Sequence, residues 1–194
     1  MFIKNMKYIV NGLTAFRFIA AFALIPCFMY EWFYLAFILF ALAGITDFFD
    51  GYLARKYNVT TKLGGVLDHI ADKLLVSITF ILLAMFWPLW FISVPIILMI
   101  ARNLYVSGLR EFMGTQKMEL PVESARISFA KASAFIQQFV SGGFLLTIVI
   151  MPYDIFAWAT YYLWMLCIIF LWVSLAASII SAGKYTVQFL KKLK

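Results

Sequence analysis

The sequence predicts an all-α, polytopic membrane protein with six transmembrane helices, and three observations carry this prediction. First, 65% of the 194 residues are hydrophobic and only 13% are charged, whereas a soluble domain has about 25% charged residues. Second, the uncharged stretches 74–101, 132–153 and 155–183 are each longer than the stretch of about 20 residues that crosses a bilayer. Third, the basic residues fall into every second gap between the apolar runs.

The first half of the chain contains a short segment followed by three predicted helices. From Phe2 to Tyr8, apolar residues are mixed with two lysines, a pattern typical of a short interfacial segment. Apolar runs then predict helices at 9–30, 33–54 and 64–86, separated by a turn near Glu31 and by a charged stretch. Because the first helix has no small-residue cleavage site, we expect it to be retained rather than removed as a secretory signal.

The second half is predicted to contain helices at 89–113, 127–150 and 155–183. A turn at Pro88 precedes the first of these helices, a polar loop separates the first from the second, and Pro152 marks the last turn. Neither an internal repeat nor a low-complexity linker interrupts the sequence. Residues 1–194 are therefore predicted to form a single transmembrane domain.

The distribution of lysine and arginine predicts the orientation. These residues occur near both termini and in the second and fourth loops, while the turns near Glu31, Pro88 and Pro152 contain none. By the positive-inside rule, both termini and these two loops face the cytoplasm, as expected for an integral protein of the cytoplasmic (inner) membrane. The net charge of +7 is not gathered into one basic stripe with interleaved aromatics, so nucleic acid is not an expected partner.

Four of the nine acidic residues lie within 26 positions, at the ends of two predicted helices. Asp47 and Asp50 are three residues apart and Asp68 and Asp72 four apart, so each pair projects from one helical face. A short loop makes the two helices antiparallel neighbours, which lets the pairs converge. Carboxylates are hard ligands suited to Mg²⁺ or Mn²⁺, and one or two ions would balance their charge. The alternative is an ion-pair cluster that holds the helices together.

The residues around these carboxylates form a signature. From Asp47 the sequence reads D-F-F-D-G-Y-L-A-R, then eight residues, then G-G-V-L-D-H-I-A-D. This resembles the motif of the CDP-alcohol phosphotransferases, D-x2-D-G-x2-A-R-x8-G-x3-D-x3-D, at all eight fixed positions. The resemblance implies the CDP-alcohol phosphotransferase fold, a homodimer, and a single catalytic domain in which CDP-activated lipid donates its phosphatidyl group to an alcohol and CMP is released.

The resemblance also implies roles for individual residues. The four aspartates would bind metal, and Asp72 would act as general base on the acceptor hydroxyl. Gly51 lacks a side chain where a phosphate must approach the helix, and Arg55 can fork onto phosphate oxygens; close packing and positive-inside placement are their alternative explanations. The residues assigned to the nucleotide or CDP-lipid are Gly51, Ala54, Arg55, Gly64, Asn11, Thr14 and Arg17. For Asn11 and Thr14, helix capping and hydroxyl back-bonding remain open.

The acceptor is indicated by the stretch I-A-R-N-L-Y-V-S-G-L-R-E-F-M from Ile100 to Met113 and by N-G-L-T-A-F-R from Asn11 to Arg17. Both resemble the phosphatidylglycerophosphate synthase branch of the family, which implies CDP-diacylglycerol and sn-glycerol 3-phosphate as substrates. The cations that would bind the acceptor phosphate are Arg102, Arg110, Lys131 and Arg126. Arg102 lies well inside an apolar helix, where a charge is a functional candidate; its alternative is a structural partner for Glu111 or a motif aspartate. For the other three, ordinary cytoplasmic placement is the alternative.

Two positions depart from that branch. His69 follows Asp68 where the branch often has proline, and Asn103 follows Arg102 where an acidic residue is common. The same chemistry with serine, inositol phosphate or a lipid as acceptor therefore stays open. A transporter would also place acids inside a membrane bundle, but these acids cluster towards one side rather than along a path. Whether the protein is an enzyme or a transporter, membrane lipids are expected around it.

Overall fold

The computed structural model describes residues 2–57, 62–115, 129–153, 155 and 157–193. Within the helices, the description leaves out the side chains of 2–11, 48–57, 62–66, 69, 110, 114–115, 129–131, 188, 192 and 193. The described chain is helical apart from short turns, and its α-helices are α1 Phe2–Met29, α2 Phe33–Tyr57, α3 Lys62–Phe86, α4 Trp90–Thr115, α5 Phe129–Ile150 and α6 Ala157–Leu193.

These helices confirm the all-helical prediction, and their ends differ from it most at three places. α1 begins at Phe2, so the predicted interfacial segment is continuous with the first helix. α2 continues to Tyr57 and α6 to Leu193. Both extensions consist largely of good helix formers such as Lys, Arg and Leu, and neither contains a proline, so the backbone hydrogen bonding continues beyond the apolar stretch.

The helices divide into two compact units. The first consists of Met1–Phe86 and Ser141–Leu163, and the second of Trp87–Val140 and Trp164–Lys194. The prediction of a single domain stays a prediction.

In the first unit, α1 packs against both α2 and α3. Alanines with at most 1% exposure, among them Ala21, Ala36 and Ala43, let the helix backbones approach closely. At one end of the unit, the rings of Phe28, Phe33 and Phe86 form edge-to-face pairs with centroids 5.3–6.4 Å apart. This arrangement fixes the three helices at that end and leaves their other ends for polar residues.

The link between α1 and α2 is a Schellman motif. The amide of Trp32 donates to the carbonyl of Cys27 over 2.7 Å, and the amide of Glu31 donates to the carbonyl of Phe28 over 3.3 Å. Glu31 has a φ of 59°, the left-handed conformation that this motif requires. These bonds satisfy carbonyls at the end of α1 and reverse the chain within three residues, which makes α2 antiparallel to α1.

In the second unit, α4 and α6 are joined along their length. Trp172 Nε1 donates to the carbonyl of Phe91 over 3.1 Å, and the hydroxyls of Tyr105 and Thr186 are 3.0 Å apart. The rings of Phe112 and Phe189 pack edge to face at 5.7 Å. Along α4 these contacts are about four and about two helix turns apart, so they fix the register between the two helices.

Four of the described helices are long and apolar enough to cross a membrane, in the stretches Gly12–Met29, Trp90–Met113, Ala132–Ile150 and Ala157–Lys191. α2 has a shorter apolar stretch, Phe33–Asp47. In α3 the charged residues Asp68, Asp72 and Lys73 occupy the N-terminal half. Large apolar side chains such as Phe135 and Phe139, each 65% exposed, cover the outside of these helices, as is typical of a membrane protein. The sequence predicted six spans, and four of the described helices meet the criteria for a span.

Candidate active site

A buried arginine joins the first three helices. Arg17 of α1 has 0% exposure. Its Nη1 donates to Asp47 Oδ1 on α2, and its Nη2 donates to Asp68 Oδ1 on α3. One guanidinium therefore brings two of the four signature aspartates to the same place, in line with the convergence expected from the short loop between α2 and α3.

The local sequence explains how these side chains meet. Asp47 lies one turn after Ala43, and Asp68 lies nearly one turn before Ala71, and both alanines are fully buried against neighbouring helices. Thr46 donates its hydroxyl to the carbonyl of Ala43 over 2.8 Å, so this polar group is bonded within α2. The small side chains of Ala43 and Ala71 leave room between the helices near the guanidinium of Arg17.

The two carboxylates are open on the side away from the arginine. The side chains of Asp47 and Asp68 are 44% and 42% exposed, compared with 1% for Arg17. Asp72, one turn after Asp68 on α3, interacts electrostatically with both of these carboxylates, with Arg17 and with Lys73. The three described carboxylates thus interact with two described basic groups, Arg17 and Lys73.

The donor set fits a divalent cation by its chemistry. Carboxylate oxygens are the ligands that Mg²⁺ and Mn²⁺ prefer, and Asp47 and Asp68 come from two helices to one point with accessible outer faces. Among the described residues, no three acidic, histidine or cysteine side chains lie close enough to form a complete metal site. Asp50, the fourth signature aspartate, and His69 lie outside the described side chains.

The residues predicted to bind the nucleotide are described in part. Thr14 is 6% exposed and lies one turn before Arg17 on α1, on the same face. The side chains of the others, Asn11, Gly51, Ala54, Arg55 and Gly64, lie outside the description. Their roles, and that of Arg17 towards the nucleotide, stay predictions.

Among the residues predicted to bind the acceptor phosphate, Arg102 is described. It lies on α4 in the second unit, where its Nε donates to the carbonyl of Ser178 over 2.9 Å and its Nη1 donates to Asn103 Oδ1 over 3.1 Å. Asn103, one of the two departures from the related branch, therefore orients this arginine. Residue 126 and the side chains of Arg110 and Lys131 lie outside the described part of the chain.

A buried polar cluster in the second unit was not predicted. Ser133 and Gln137 of α5 are hydrogen bonded over 3.0 Å, and Ser133 Oγ lies 3.3 Å from Ser174 Oγ of α6. Ser174, Ser178 and Ser181 are all fully buried. Their spacing of four and three residues places the three serines on one face of α6. That spacing, in an otherwise apolar helix, was the available signal.

Comparison with known proteins agrees with the signature. The family model for CDP-alcohol phosphatidyltransferase matches residues 7–185. A CDP-diacylglycerol–glycerol-3-phosphate 3-phosphatidyltransferase of Rickettsia bellii is 48% identical over 102 residues, 53% of this chain and 53% of that protein. Proteins with the same name from Pectobacterium atrosepticum and Salmonella typhimurium are 42% identical over 109 residues and 39% identical over 130, covering 52% and 63% of this chain and 57% and 69% of theirs.

The matched part of the chain spans about half the length of the rickettsial relative, 53%. The family model, in contrast, extends from the second turn of α1 into the last part of α6. It includes the arginine and the aspartates that meet in the first unit. By this match the chain belongs to the CDP-alcohol phosphatidyltransferase family.

Proposed function

We propose that this protein transfers the phosphatidyl group of CDP-diacylglycerol to sn-glycerol 3-phosphate, giving phosphatidylglycerophosphate and CMP. The observation that carries the proposal is the convergence of Asp47 and Asp68, two aspartates of the family signature, with their outer faces accessible. The bacterial relatives named for this reaction support the choice of donor and acceptor.

A divalent metal, Mg²⁺ or Mn²⁺ as one or two ions, would be held by Asp47, Asp50, Asp68 and Asp72. When bound, it supplies positive charge that neutralises the diphosphate of the donor and the charge developing on the leaving CMP. The three described carboxylates outnumber the two described basic groups that interact with them, which supports such a cation, because carboxylates in or near hydrocarbon need compensating charge.

In the reaction, the acceptor hydroxyl attacks the phosphorus of the phosphatidyl group. Asp72 takes the hydroxyl proton, a new P–O bond forms to the acceptor, and the P–O bond to CMP breaks, so that CMP leaves with the bonding electrons. Reactions of this type depend mainly on positioning and electrostatic stabilisation. The position of Asp72 one turn after Asp68, beside the two converging aspartates, supports this base role.

Two anionic groups have to be held. Gly51, Ala54, Arg55 and Gly64 are proposed to contact the CDP part, where the small residues admit the nucleotide and Arg55 forks onto its phosphates. Arg102, with Arg110, Lys131 and Arg126, is proposed to bind the phosphate of the acceptor. The contacts that Arg102 makes with Ser178 and Asn103 support this role, since they hold the guanidinium in one orientation.

We further propose that α2 and α3 also cross the membrane, giving six spans in the cytoplasmic membrane with the active site and both termini on the cytoplasmic side. The short apolar stretch Phe33–Asp47 supports this for α2, because the helix continues for ten residues beyond it. We also propose that the protein is a homodimer surrounded by membrane lipids. The mass of the purified protein, after subtraction of bound detergent, tests whether it is a dimer.

The decisive experiment measures CMP release from CDP-diacylglycerol by purified protein in detergent. The acceptors sn-glycerol 3-phosphate, serine and inositol phosphate are supplied one at a time, with Mg²⁺ or with EDTA. We expect CMP release with sn-glycerol 3-phosphate and Mg²⁺, and its loss in EDTA. Release with another acceptor alone would reassign the substrate, and cation flux in vesicles without CMP release would favour a transporter.

A further inference from the structure

The contacts of Arg17 lead to an inference that rests on the proposed function but concerns the metal-free protein. Arg17 is completely buried, and a buried charge is retained at low cost only if it is paired. Its Nη1 and Nη2 donate hydrogen bonds to aspartates on two different helices. The same ion pairs therefore neutralise the arginine and hold α1, α2 and α3 together at the polar end of the first unit.

The carboxylates that bind Arg17 belong to the signature by which the metal would be held. Asp47 and Asp68 each offer an oxygen to the guanidinium, on the buried side of the pair. A cation bound to the same carboxylates would draw on the same negative charge and would be repelled by the positive charge of Arg17. Binding of the metal and the full strength of these ion pairs thus oppose each other.

We propose that Arg17 is a built-in counter-ion, which holds Asp47 and Asp68 together in the metal-free protein and competes with the divalent cation for them. It stabilises the site before metal arrives, because two carboxylates at one point repel each other when no cation lies between them. It also weakens metal binding, because part of the carboxylate charge is already neutralised. Arg17 is in this sense a positioning residue for the metal ligands.

This role differs from the one that the sequence predicted. An arginine bound to the nucleotide would change the requirement for CDP-diacylglycerol and would leave metal binding in the absence of substrate unchanged. A counter-ion changes metal binding when no substrate is present. The two roles are therefore separated by a measurement without nucleotide.

The test is the thermal unfolding of detergent-solubilised protein, with EDTA and with increasing Mn²⁺, in the absence of substrate. In Arg17→Gln, we expect a lower unfolding temperature in EDTA and a larger rise on adding Mn²⁺ than in the wild type. We also expect the half-saturating Mn²⁺ concentration to fall by about tenfold, within the range of about 5- to 150-fold that couplings between two sites reach. Lys191→Gln, the loss of an exposed cation near the end of α6, is expected to leave the Mn²⁺ response unchanged.

Two further variants keep the test meaningful if Arg17→Gln is too unstable to purify. Arg17→Lys keeps the charge but lacks the forked guanidinium that reaches two carboxylates. Its Mn²⁺ response should therefore lie between those of the wild type and Arg17→Gln. In the double variant Arg17→Gln/Asp68→Asn, one of the repelling charges is gone. Its unfolding temperature in EDTA should exceed that of Arg17→Gln alone, a non-additive result typical of groups in contact.

An unchanged or weaker Mn²⁺ response in Arg17→Gln and Arg17→Lys overturns the inference, as does a wild-type protein whose unfolding does not respond to Mn²⁺. Failure of the proposed function is recognised separately, by a wild-type protein that responds to Mn²⁺ but releases no CMP with sn-glycerol 3-phosphate. Release of CMP by the wild type, together with an unchanged Mn²⁺ response in the variants, leaves the function standing and removes only the role of Arg17.

Discussion

Asp47 and Asp68 are each more than two-fifths exposed, although the arginine that joins them is buried. This difference in exposure gives the pair two faces with different tasks. The inner face is neutralised by Arg17, and the outer face is accessible to ligands. Asp72 adds a third charge from the next turn of α3. The described charges of this site therefore interact with partners on other helices.

Replacing Asp47 or Asp68 by asparagine keeps the side-chain shape but removes a charged ligand. We expect CMP release to fall by about 100-fold or more, since even groups that only orient metal ligands contribute about 10- to 100-fold. The same loss is expected for Asp50→Asn and Asp72→Asn, with normal membrane insertion. Glu31→Gln, a matched loss of a carboxylate in the α1–α2 turn, is the control and should retain activity. Full activity in all four aspartate variants would contradict the proposed function.

Arg102→Gln removes the guanidinium that Ser178 and Asn103 orient. If Arg102 binds the acceptor phosphate, the KM for sn-glycerol 3-phosphate should rise by about tenfold or more, since a hydrogen bond to a charged group contributes about 1.5–3 kcal/mol. The KM for CDP-diacylglycerol should change much less. Lys191→Gln, an exposed cation near the end of α6, is the control. Equal increases in both KM values would argue against an acceptor-phosphate role.

Within single elements, the described helices of the first unit combine an apolar end with a polar end. The rings of Phe28, Phe33 and Phe86 meet at one end. Arg17 lies eleven residues before Phe28 on α1, about 16 Å away along the helix axis at about 1.5 Å per residue. The apolar end contributes packing, and the polar end carries the charges. Single substitutions can test how closely these helices approach each other and how the turn between α1 and α2 is formed.

The contact between α5 and α2 depends on the absence of a side chain at Gly142. A Cβ added there would lie 3.3 Å from Cε1 of Phe40, a buried ring with little room to move. We expect Gly142→Val to destabilise the protein by about 1–3 kcal/mol through overpacking, measured as lowered resistance to thermal unfolding in detergent. Gly183→Val is the matched control because a Cβ at Gly183 meets nothing within 4 Å. Equal losses in both variants would show that helix propensity, not packing, is responsible.

Glu31 adopts a left-handed conformation that costs an L-residue about 1–2 kcal/mol. Glycine is the usual residue at this position of a Schellman motif. Glu31→Gly is therefore expected to raise the thermal unfolding temperature, with a gain of up to about 1 kcal/mol. Glu31→Ala removes the carboxylate without relieving the backbone, so this control should show no gain. A gain of the same size in both variants would assign the effect to the charge.

On the scale of the whole molecule, four described helices are long and apolar enough to span a membrane. The two helices that do not meet this criterion, α2 and α3, are those that carry the signature aspartates, and this has a physical reason. The signature aspartates shorten the apolar stretches of α2 and α3, so by composition these two helices resemble membrane spans less than the others do. Pairing with Arg17 lowers the cost of keeping two of these charges close to hydrocarbon.

The proposed topology predicts that the α1–α2 turn and the end of α6 lie on opposite sides of the membrane. A cysteine introduced at Glu31 should react with a membrane-impermeant maleimide in intact cells, and one at Lys191 only after permeabilisation. The native Cys27 and Cys167 are buried, so they should give little background. Labelling of both introduced cysteines in intact cells would contradict the six-span arrangement.

The sequence alone determined the helical class, the approximate limits of the helices and the family signature that contains the four aspartates. This was possible because apolar length, helical spacing and fixed motif gaps are local properties that the printed residues contain. It also singled out Arg17 and Arg102 as charges in apolar helices, without their partners. The continuation of α1 to Phe2 and of α6 to Leu193 was missed because composition does not show where hydrogen bonding stops.

The tertiary structure alone decided which charges meet. Arg17 is 30 and 51 residues away from its two partners in sequence, and no local pattern specifies a contact over that separation. The choice depends on how α1 packs against α2 and α3 through buried alanines. The same holds for Arg102, whose partner Ser178 is 76 residues away. A charge in an apolar helix indicates that the residue has a partner. Only the packing of the helices decides which residue that partner is.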